Sequence, residues 1–142
     1  MKIIPVSEKD LPGAIALLRK SNLPTDDLPG ITQLFILEHD TAIAGTAGIE
    51  YSETYGLLRS LCISEDHRNH GWGKELVTFI EDFAKNHGVH HLYLLTTTAE
   101  EFFKQLRYRK TKRAAIPDFI RLTREFSDVC PDSAIIMKKT LR

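Results

Sequence analysis

No apolar run in these 142 residues approaches the roughly 20 residues needed to cross a bilayer as a helix. The opening stretch MKIIPVSEKD is too short in its apolar part to read as a signal peptide. Cysteine is scarce. Cys62 and Cys130 are too few for a disulfide framework and lack a zinc-ligand spacing. Both read as free thiols of a reducing compartment, so a cytoplasmic location is expected. Neither sign of charge is in excess, with 19 basic and 19 acidic side chains. A general nucleic-acid or anionic-membrane surface needs a basic surplus, so neither partner is expected. Repeats, low-complexity tracts and linker-like stretches are missing too. A hydrophobic share of 42% in a chain of this length suits a single domain over residues 1–142 around one core.

The chain is organised around residues 57–88, LLRSLCISEDHRNHGWGKELVTFIEDFAKNHG. Residues 57–63 are an apolar run with the length of a buried strand. Residues 66–73, DHRNHGWG, form a loop. Residues 74–87 have helical period, with Leu76, Val77, Ile80, Phe83 and Ala84 on one face and Lys74, Glu75, Asp82 and Lys85 on the other. Gly88 ends that helix. A strand, a Gly loop and a helix start make an anion cradle, because the first-turn N–H groups lack helical partners and the macrodipole adds partial positive charge. Gly71 and Gly73 admit a close ligand, and Arg68 and Lys74 add formal charge. A phosphate or pyrophosphate is the expected guest. The same pattern is also compatible with a plain strand-to-helix turn.

Elsewhere, strands are expected at residues 2–6, 34–38, 42–51, 91–95, 108–112 and 133–138, and helices after Asp10, at 99–106 and at 117–126. Asp10 is the expected cap of the first helix, with Pro12 in its first turn. Gly45 and Gly48 point to a bulge or a close backbone approach. Residues 23–30, LPTDDLPG, read as a loop in which Asp26 and Asp27 are solvated or belong to a substrate lid. The strand after Gly88 should run parallel to the strand at 57–63 beside antiparallel hairpins, giving a mixed sheet.

Arg68-Asn69-His70-Gly71-Trp72-Gly73, with Leu61-Cys62-Ile63 before it and the helix after it, resembles the Arg/Gln-x-x-Gly-x-Gly/Ala signature of the GNAT superfamily of acyl-CoA N-acyltransferases. AEEFFKQLRY is similar to the family's A-x-x-F-Y-x-x-x-G-F segment, so the resemblance covers nearly the whole chain. LYLLTTTAEEFF, RAAIPDFIR and CPDSAIIM, with LLRSLCI and LPTDDL, resemble the arsenic-resistance-associated N-acetyltransferases. The LTT-x-TA…F element is shared with the acetyltransferase domain of bacterial N-acetylglutamate synthases. The fold implied is α+β, an α/β sandwich with a mixed, mostly antiparallel sheet, a splayed central strand and helices on both faces. The function implied is acetyl-CoA-dependent N-acetylation, releasing CoA. The acceptor implied is a small primary amine: an amino acid, or an arsenical or phosphinic mimic of one. Homodimers are common in the superfamily, and the C-terminal strand is a candidate edge for pairing.

The resemblance also implies site residues. The backbone of Leu61, Cys62 and Ile63 would face the pantetheine arm and thioester, with an N–H near Cys62 or Ile63 stabilising the carbonyl oxygen. Arg68, Asn69, His70, Gly71, Trp72, Gly73 and Lys74 would hold the pyrophosphate, with His67 beside them. Thr96 aligns with a CoA-contacting Asn of many members. Phe103 stands where many carry a Tyr that protonates the leaving thiolate, and Arg107 stands where Gly usually ends the helix. Many members carry a catalytic carboxylate on the central strand, where this chain has Arg59.

The base candidate is therefore Glu50, which also reads as a partner of Arg59. Arg59 is the candidate grip for a substrate oxyanion, or else an ion-pair partner of Glu50 or Glu53. Ser60 is a further candidate for substrate contact. Arg113, Arg121 and Arg124 read as surface arginines or as the rim of the same mouth, and Cys130 reads as a buried structural thiol. His90 and His91 have no third ligand in spacing, so no metal is expected. Two alternatives stand beside the enzyme of small amines: a CoA-binding regulatory module without turnover, and a protein or peptide N-acetyltransferase.

Overall fold

The structure, a computed structural model, describes residues 1–23, 25, 33–123 and 134–141. Its elements in chain order are β1 (Lys2–Pro5), α1 (Leu11–Lys20), β2 (Gln33–His39), β3 (Ala42–Ser52), β4 (Tyr55–Ile63), α2 (Trp72–Asn86), β5 (His91–Thr96), α3 (Glu100–Gln105), β6 (Arg109–Lys110), α4 (Asp118–Arg121) and β7 (Ile135–Thr140). The seven described strands form one sheet in the order β1-β2-β3-β4-β5-β7-β6. Only the β4–β5 pair is parallel. The mixed, mostly antiparallel sheet expected from the sequence is present.

Alternating side chains bury both faces. Leu76, Val77, Ile80 and Ala84 of α2 pack on Phe35, Ala47, Ile49, Leu58 and Leu92. On the opposite face, Ala14 and Leu18 of α1 meet Leu34, Ile36 and Cys62, while Ile116 and Ile120 meet Leu57, Tyr93 and Ile136. Burying each such aliphatic side chain contributes about 1.5–3 kcal/mol.

Three helices stop by one device. The second residue past the end turns left-handed, and the residue after it donates its N–H back to the third-last helical carbonyl. The left-handed residue is Asn22 after α1, Gly88 after α2 and Arg107 after α3, with φ of 60°, 85° and 75°. The closing bonds are Leu23 to Leu18 (3.0 Å), Val89 to Ala84 (2.9 Å) and Tyr108 to Phe103 (3.0 Å). Arg107 thus does a glycine's work at a steric cost.

Four local expectations need correction. Asp10 makes no side-chain cap, because its carboxylate is taken by the Ser7 hydroxyl at 3.0 Å. The strand expected at 108–112 shrinks to Arg109–Lys110, since Tyr108 belongs to the helix-ending turn. The helix expected at 117–126 is Asp118–Arg121, with Leu122 and Thr123 in the turn after it and residues 124–126 outside the described ones. β7 lies between β5 and β6, so the C-terminal strand is no free edge for dimer pairing. Asp26, Asp27, Arg124 and Cys130 lie outside the described residues.

Two bulges deform the centre of the sheet. Leu37 pairs with Gly45 but Glu38 with Ile43, which leaves an extra residue on β3 beside Gly45. Thr46 pairs with Cys62 but Gly48 with Arg59, which leaves an extra residue on β4. Ser60, inside that second bulge, is buried and left-handed at φ 58°. The buried Thr46 hydroxyl donates to the Ser60 carbonyl at 2.8 Å and holds the bulge in place.

Candidate active site

β4 and β5 pair only through Tyr55–Leu57 and His91–Tyr93, then part. The bulge at Ser60 turns the end of β4 away from β5, and the gap opens beside the start of α2. A cavity of about 560 Å³ fills this place. Leu61, Cys62 and Ile63 form one wall, and the loop residues Arg68, Asn69, Gly71, Trp72, Gly73 and Lys74 form another.

Gly71 takes φ 77°, and its carbonyl receives the Glu75 N–H at 3.2 Å, which starts α2. A Cβ on Gly73 would stand 3.3 Å from the Phe102 ring, so a side chain there would crowd the cavity wall. Arg68 donates through Nε to the Ile63 carbonyl at 3.2 Å, which ties the loop to the end of β4. Behind it, Ser64 and His67 share a hydrogen bond at 2.6 Å, and the His67 ring stacks on Trp72 at 5.6 Å. An anionic group fits this helix start, where amides, the dipole and the charges of Arg68 and Lys74 all favour it.

Three residues expected at the cofactor are not among those lining this cavity. His70 is exposed beside Trp72 and does not line the cavity. The Thr96 hydroxyl accepts the Ala99 N–H at 3.0 Å and shapes the turn into α3. Phe103 is buried edge-on against Tyr108. Its neighbour Phe102 lines the cavity instead, with Thr98 and Ala99. The resemblance singled out Phe103, and it carries no information on how α3 docks against the core. Among the described residues no tyrosine lines the cavity. Tyr108 is engaged elsewhere, donating to Glu81 at 2.8 Å. Ser21 and Leu23, at the end of α1, were not singled out in the sequence and line the cavity from the far side.

Strand register places Glu50, Arg59 and Cys62 on one face. Glu50 pairs with Leu57, Arg59 with Gly48, and Cys62 with Thr46, all on the α1 and α4 side of the sheet. Arg59 Nη1 donates to Glu50 Oε2 at 3.1 Å, and Arg59 Nε reaches Ser60 Oγ at 3.2 Å. The Arg59 side chain is 0% exposed and that of Glu50 is 16% exposed. The ion pair with Glu50, one of the two readings of Arg59, is present. The Ser60 hydroxyl is held inside the same unit. Cys62 turns its thiol toward α1, where Sγ lies 2.9 Å from Ser21 Oγ and 3.8 Å from the Leu17 carbonyl. Burial pushes the Cys62 thiol above its ordinary value, and the Ser21 hydrogen bond and the Arg68 charge pull weakly the other way.

The model described as Acetyltransferase (GNAT) family matches residues 11–108. An uncharacterized N-acetyltransferase of Chlorobaculum tepidum is 28% identical over 116 residues, covering 78% of this chain and 72% of that one. The amino-acid acetyltransferase of Neisseria meningitidis is 28% identical over 90 residues, 62% of this chain, and the matched part is 21% of that protein's length. Among solved structures, N-acetylglutamate synthase of Neisseria gonorrhoeae, complexed with coenzyme A and N-acetyl-glutamate, superposes with a TM-score of 0.85 at 22% identity. That match covers 99% of this chain and 35% of the synthase.

Proposed function

The chain belongs to the acetyltransferase (GNAT) family, and on that footing we propose that it transfers the acetyl group of acetyl-CoA to the primary amine of a small acceptor. The observation that carries this reading is the gap between β4 and β5 opening onto the amide cradle of α2. One surface thereby offers a site for a pyrophosphate and, next to it, a slot of backbone and apolar groups suited to a thioester arm. The proposed acceptor is an α-amino acid with an acidic head. Support comes from the sequence match to an amino-acid acetyltransferase. An arsenical or phosphinic mimic shares the amine and the oxyanion, and belongs to the same proposal.

Each task of the reaction has a candidate. The loop amides and Arg68 bind and orient the cofactor's pyrophosphate. A backbone N–H at Cys62 or Ile63 meets the thioester oxygen as it gains charge, and a donor so placed contributes about 3–4 kcal/mol. Holding amine and thioester in line supplies up to roughly 7–11 kcal/mol. Glu50, directly or through a water, takes the proton that the amine must lose. Arg59 acts on Glu50 by fixing its carboxylate, a positioning role that replaces the direct grip on substrate. With Phe103 turned into the core, the departing thiolate leaves without a tyrosine acid, which a CoA thiol tolerates near neutral pH.

A thiol-release assay with acetyl-CoA and an amine panel tests this reading. The panel holds glutamate, aspartate, phosphinothricin, an arsenical amino acid, a polyamine and a lysine peptide. Turnover is expected with the acidic α-amines, and Glu50→Gln should lower kcat by about 10²–10⁴. Turnover of the peptide alone would replace the small acceptor with a polypeptide. Tight acetyl-CoA binding with no amine turned over would replace the enzyme with a CoA-binding module.

A further inference from the structure

A second cavity, of about 780 Å³, lies where the second half of α2 meets β6 and the end of β7. It shares no lining residue with the cavity at the start of α2. Gly73 lines the first and Glu81 the second, and the helix between them rises about 12 Å at 1.5 Å per residue. The second cavity is of a size that suits a small molecule, for which sites run to roughly 300–1,000 Å³.

Its charge is out of proportion to the chain. With 19 basic and 19 acidic side chains, an even spread would leave any cavity near neutral. This one is lined by Lys85, Arg107, Arg109, Lys110, Lys138 and Lys139 against the single carboxylate of Glu81. Glu81 is already engaged. It accepts from Lys139 Nζ at 3.0 Å and from the Tyr108 hydroxyl at 2.8 Å. Lys110 lies 3.5 Å from Glu100, and Lys85 lies 4.0 Å from Asp82. Arg107, Arg109 and Lys138 have no carboxylate within 4.0 Å among the described residues. Lys138 Nζ stands instead over the Tyr93 ring, 5.7 Å from its centroid.

Arg107 is held where a glycine would sit without strain, at φ 75° in the turn that ends α3. Backbone strain and the crowding of like charges both oppose folding here, and a bound anion would offset the second. We propose that this cavity is a binding site for a small multivalent anion carrying phosphate or carboxylate groups. The planar guanidiniums of Arg107 and Arg109 can each present two N–H groups to paired oxygens, and Lys138 adds a point charge beside them. The site stands apart from acetyl transfer and does not depend on it.

Calorimetric titrations at physiological ionic strength test the proposal, with inorganic tripolyphosphate in one arm and citrate in the other. Each is run without CoA and with CoA at saturation. One anion per chain should bind with CoA already present, and the tighter of the two probes tells phosphate from carboxylate recognition. Arg107→Gly/Arg109→Thr should weaken that binding about a hundredfold or more, at roughly tenfold for each charge-assisted grip lost. Its affinity for CoA should match wild type and its Tm should be no lower, since glycine suits the turn and threonine suits an edge strand. Binding of neither probe overturns the proposal, as does equal binding by wild type and the double variant. Displacement of the anion by CoA also overturns it, by giving these cations to the cofactor. Failure of amine turnover leaves the proposal standing, because the comparison of wild type with the double variant needs no acceptor.

Discussion

A single methyl group at Gly45 should damage both stability and rate. A Cβ built there stands 2.8 Å from Ile63 Cδ1, 2.9 Å from the Cys62 carbonyl oxygen and 3.1 Å from Leu76 Cδ1. The Ile63 methyl can rotate away, but the Cys62 oxygen belongs to the backbone of β4. Restoring an ordinary contact needs about 0.5 Å of strand movement. Overpacking of this kind costs about 1–3 kcal/mol. Replacing Gly by Ala recovers roughly 0.5–1 kcal/mol through the unfolded chain. The net loss is about 1–2 kcal/mol, or about 3–8 °C in Tm for a chain of this size. The displaced segment is the one proposed to face the thioester, so kcat should fall about tenfold, short of the roughly hundredfold that a full 1 Å misplacement costs. Gly13→Ala is the internal control. Its Cβ would also stand at 2.9 Å, but from the terminal methyl of Ile43, in a helix where Ala is favoured by about 1 kcal/mol. Thermal melts and initial rates on both variants decide the matter. Equal Tm values for Gly45→Ala and wild type would refute the argument that backbone contacts and side-chain contacts of the same length differ in cost.

Three more perturbations follow from particular contacts. Thr46→Val keeps the shape of a buried side chain but leaves the Ser60 carbonyl without its 2.8 Å donor; urea melts should show a loss of about 1–3 kcal/mol, and kcat should drop as the bulge relaxes. Arg107→Gly removes a side chain from a left-handed position at φ 75°, so it should stabilise the fold by about 1 kcal/mol in the same melts. In a Cys130→Ser background, the buried Cys62 thiol should alkylate slowly at neutral pH, with a rate still climbing above about pH 9 and suppressed by bound acetyl-CoA, because burial raises its pKa. The sign for stability is the same: the neutral thiol's contribution is complete below the unfolded pKa and is lost as pH rises through the folded one. A plateau in alkylation rate below pH 8 would contradict that ordering.

Legibility from sequence followed the range of the interactions. The α2 helix and its Gly88 stop were readable because period and capping are local properties, and Gly71 and Gly73 mark the loop for the same reason. The AEEFF stretch shows where locality ends. Phe102 and Phe103 have the same chemistry, and only the docking of α3 decides that Phe103 packs on Tyr108 while Phe102 faces the cavity. The turn role of Thr96 was likewise not marked in the sequence, since its hydroxyl accepts from Ala99 three residues on. Ser21 carried no signal, because its place at the cavity wall beside Cys62 joins residues 41 apart in sequence.

The splay itself lies beyond a one-strand reading. LLRSLCI contains no glycine or proline to mark a bulge, and its serine is an ordinary strand residue until it is seen at φ 58°. The bulge shows on β3, where Thr46 and Gly48 are two residues apart while their partners Cys62 and Arg59 are three apart. That extra residue has two consequences. It turns β4 away from β5, which creates the slot, and it puts Arg59 and Cys62 on one face despite their odd spacing. In an unbroken strand, residues three apart would point to opposite faces, and the Glu50–Arg59 pair would lie across the sheet from Cys62 and Ser21. The bulge therefore sets the register in which Glu50, Arg59 and Cys62 share one face. A change that irons out the bulge, as Thr46→Val should in part, is for this reason expected to affect acceptor kinetics as well as cofactor binding.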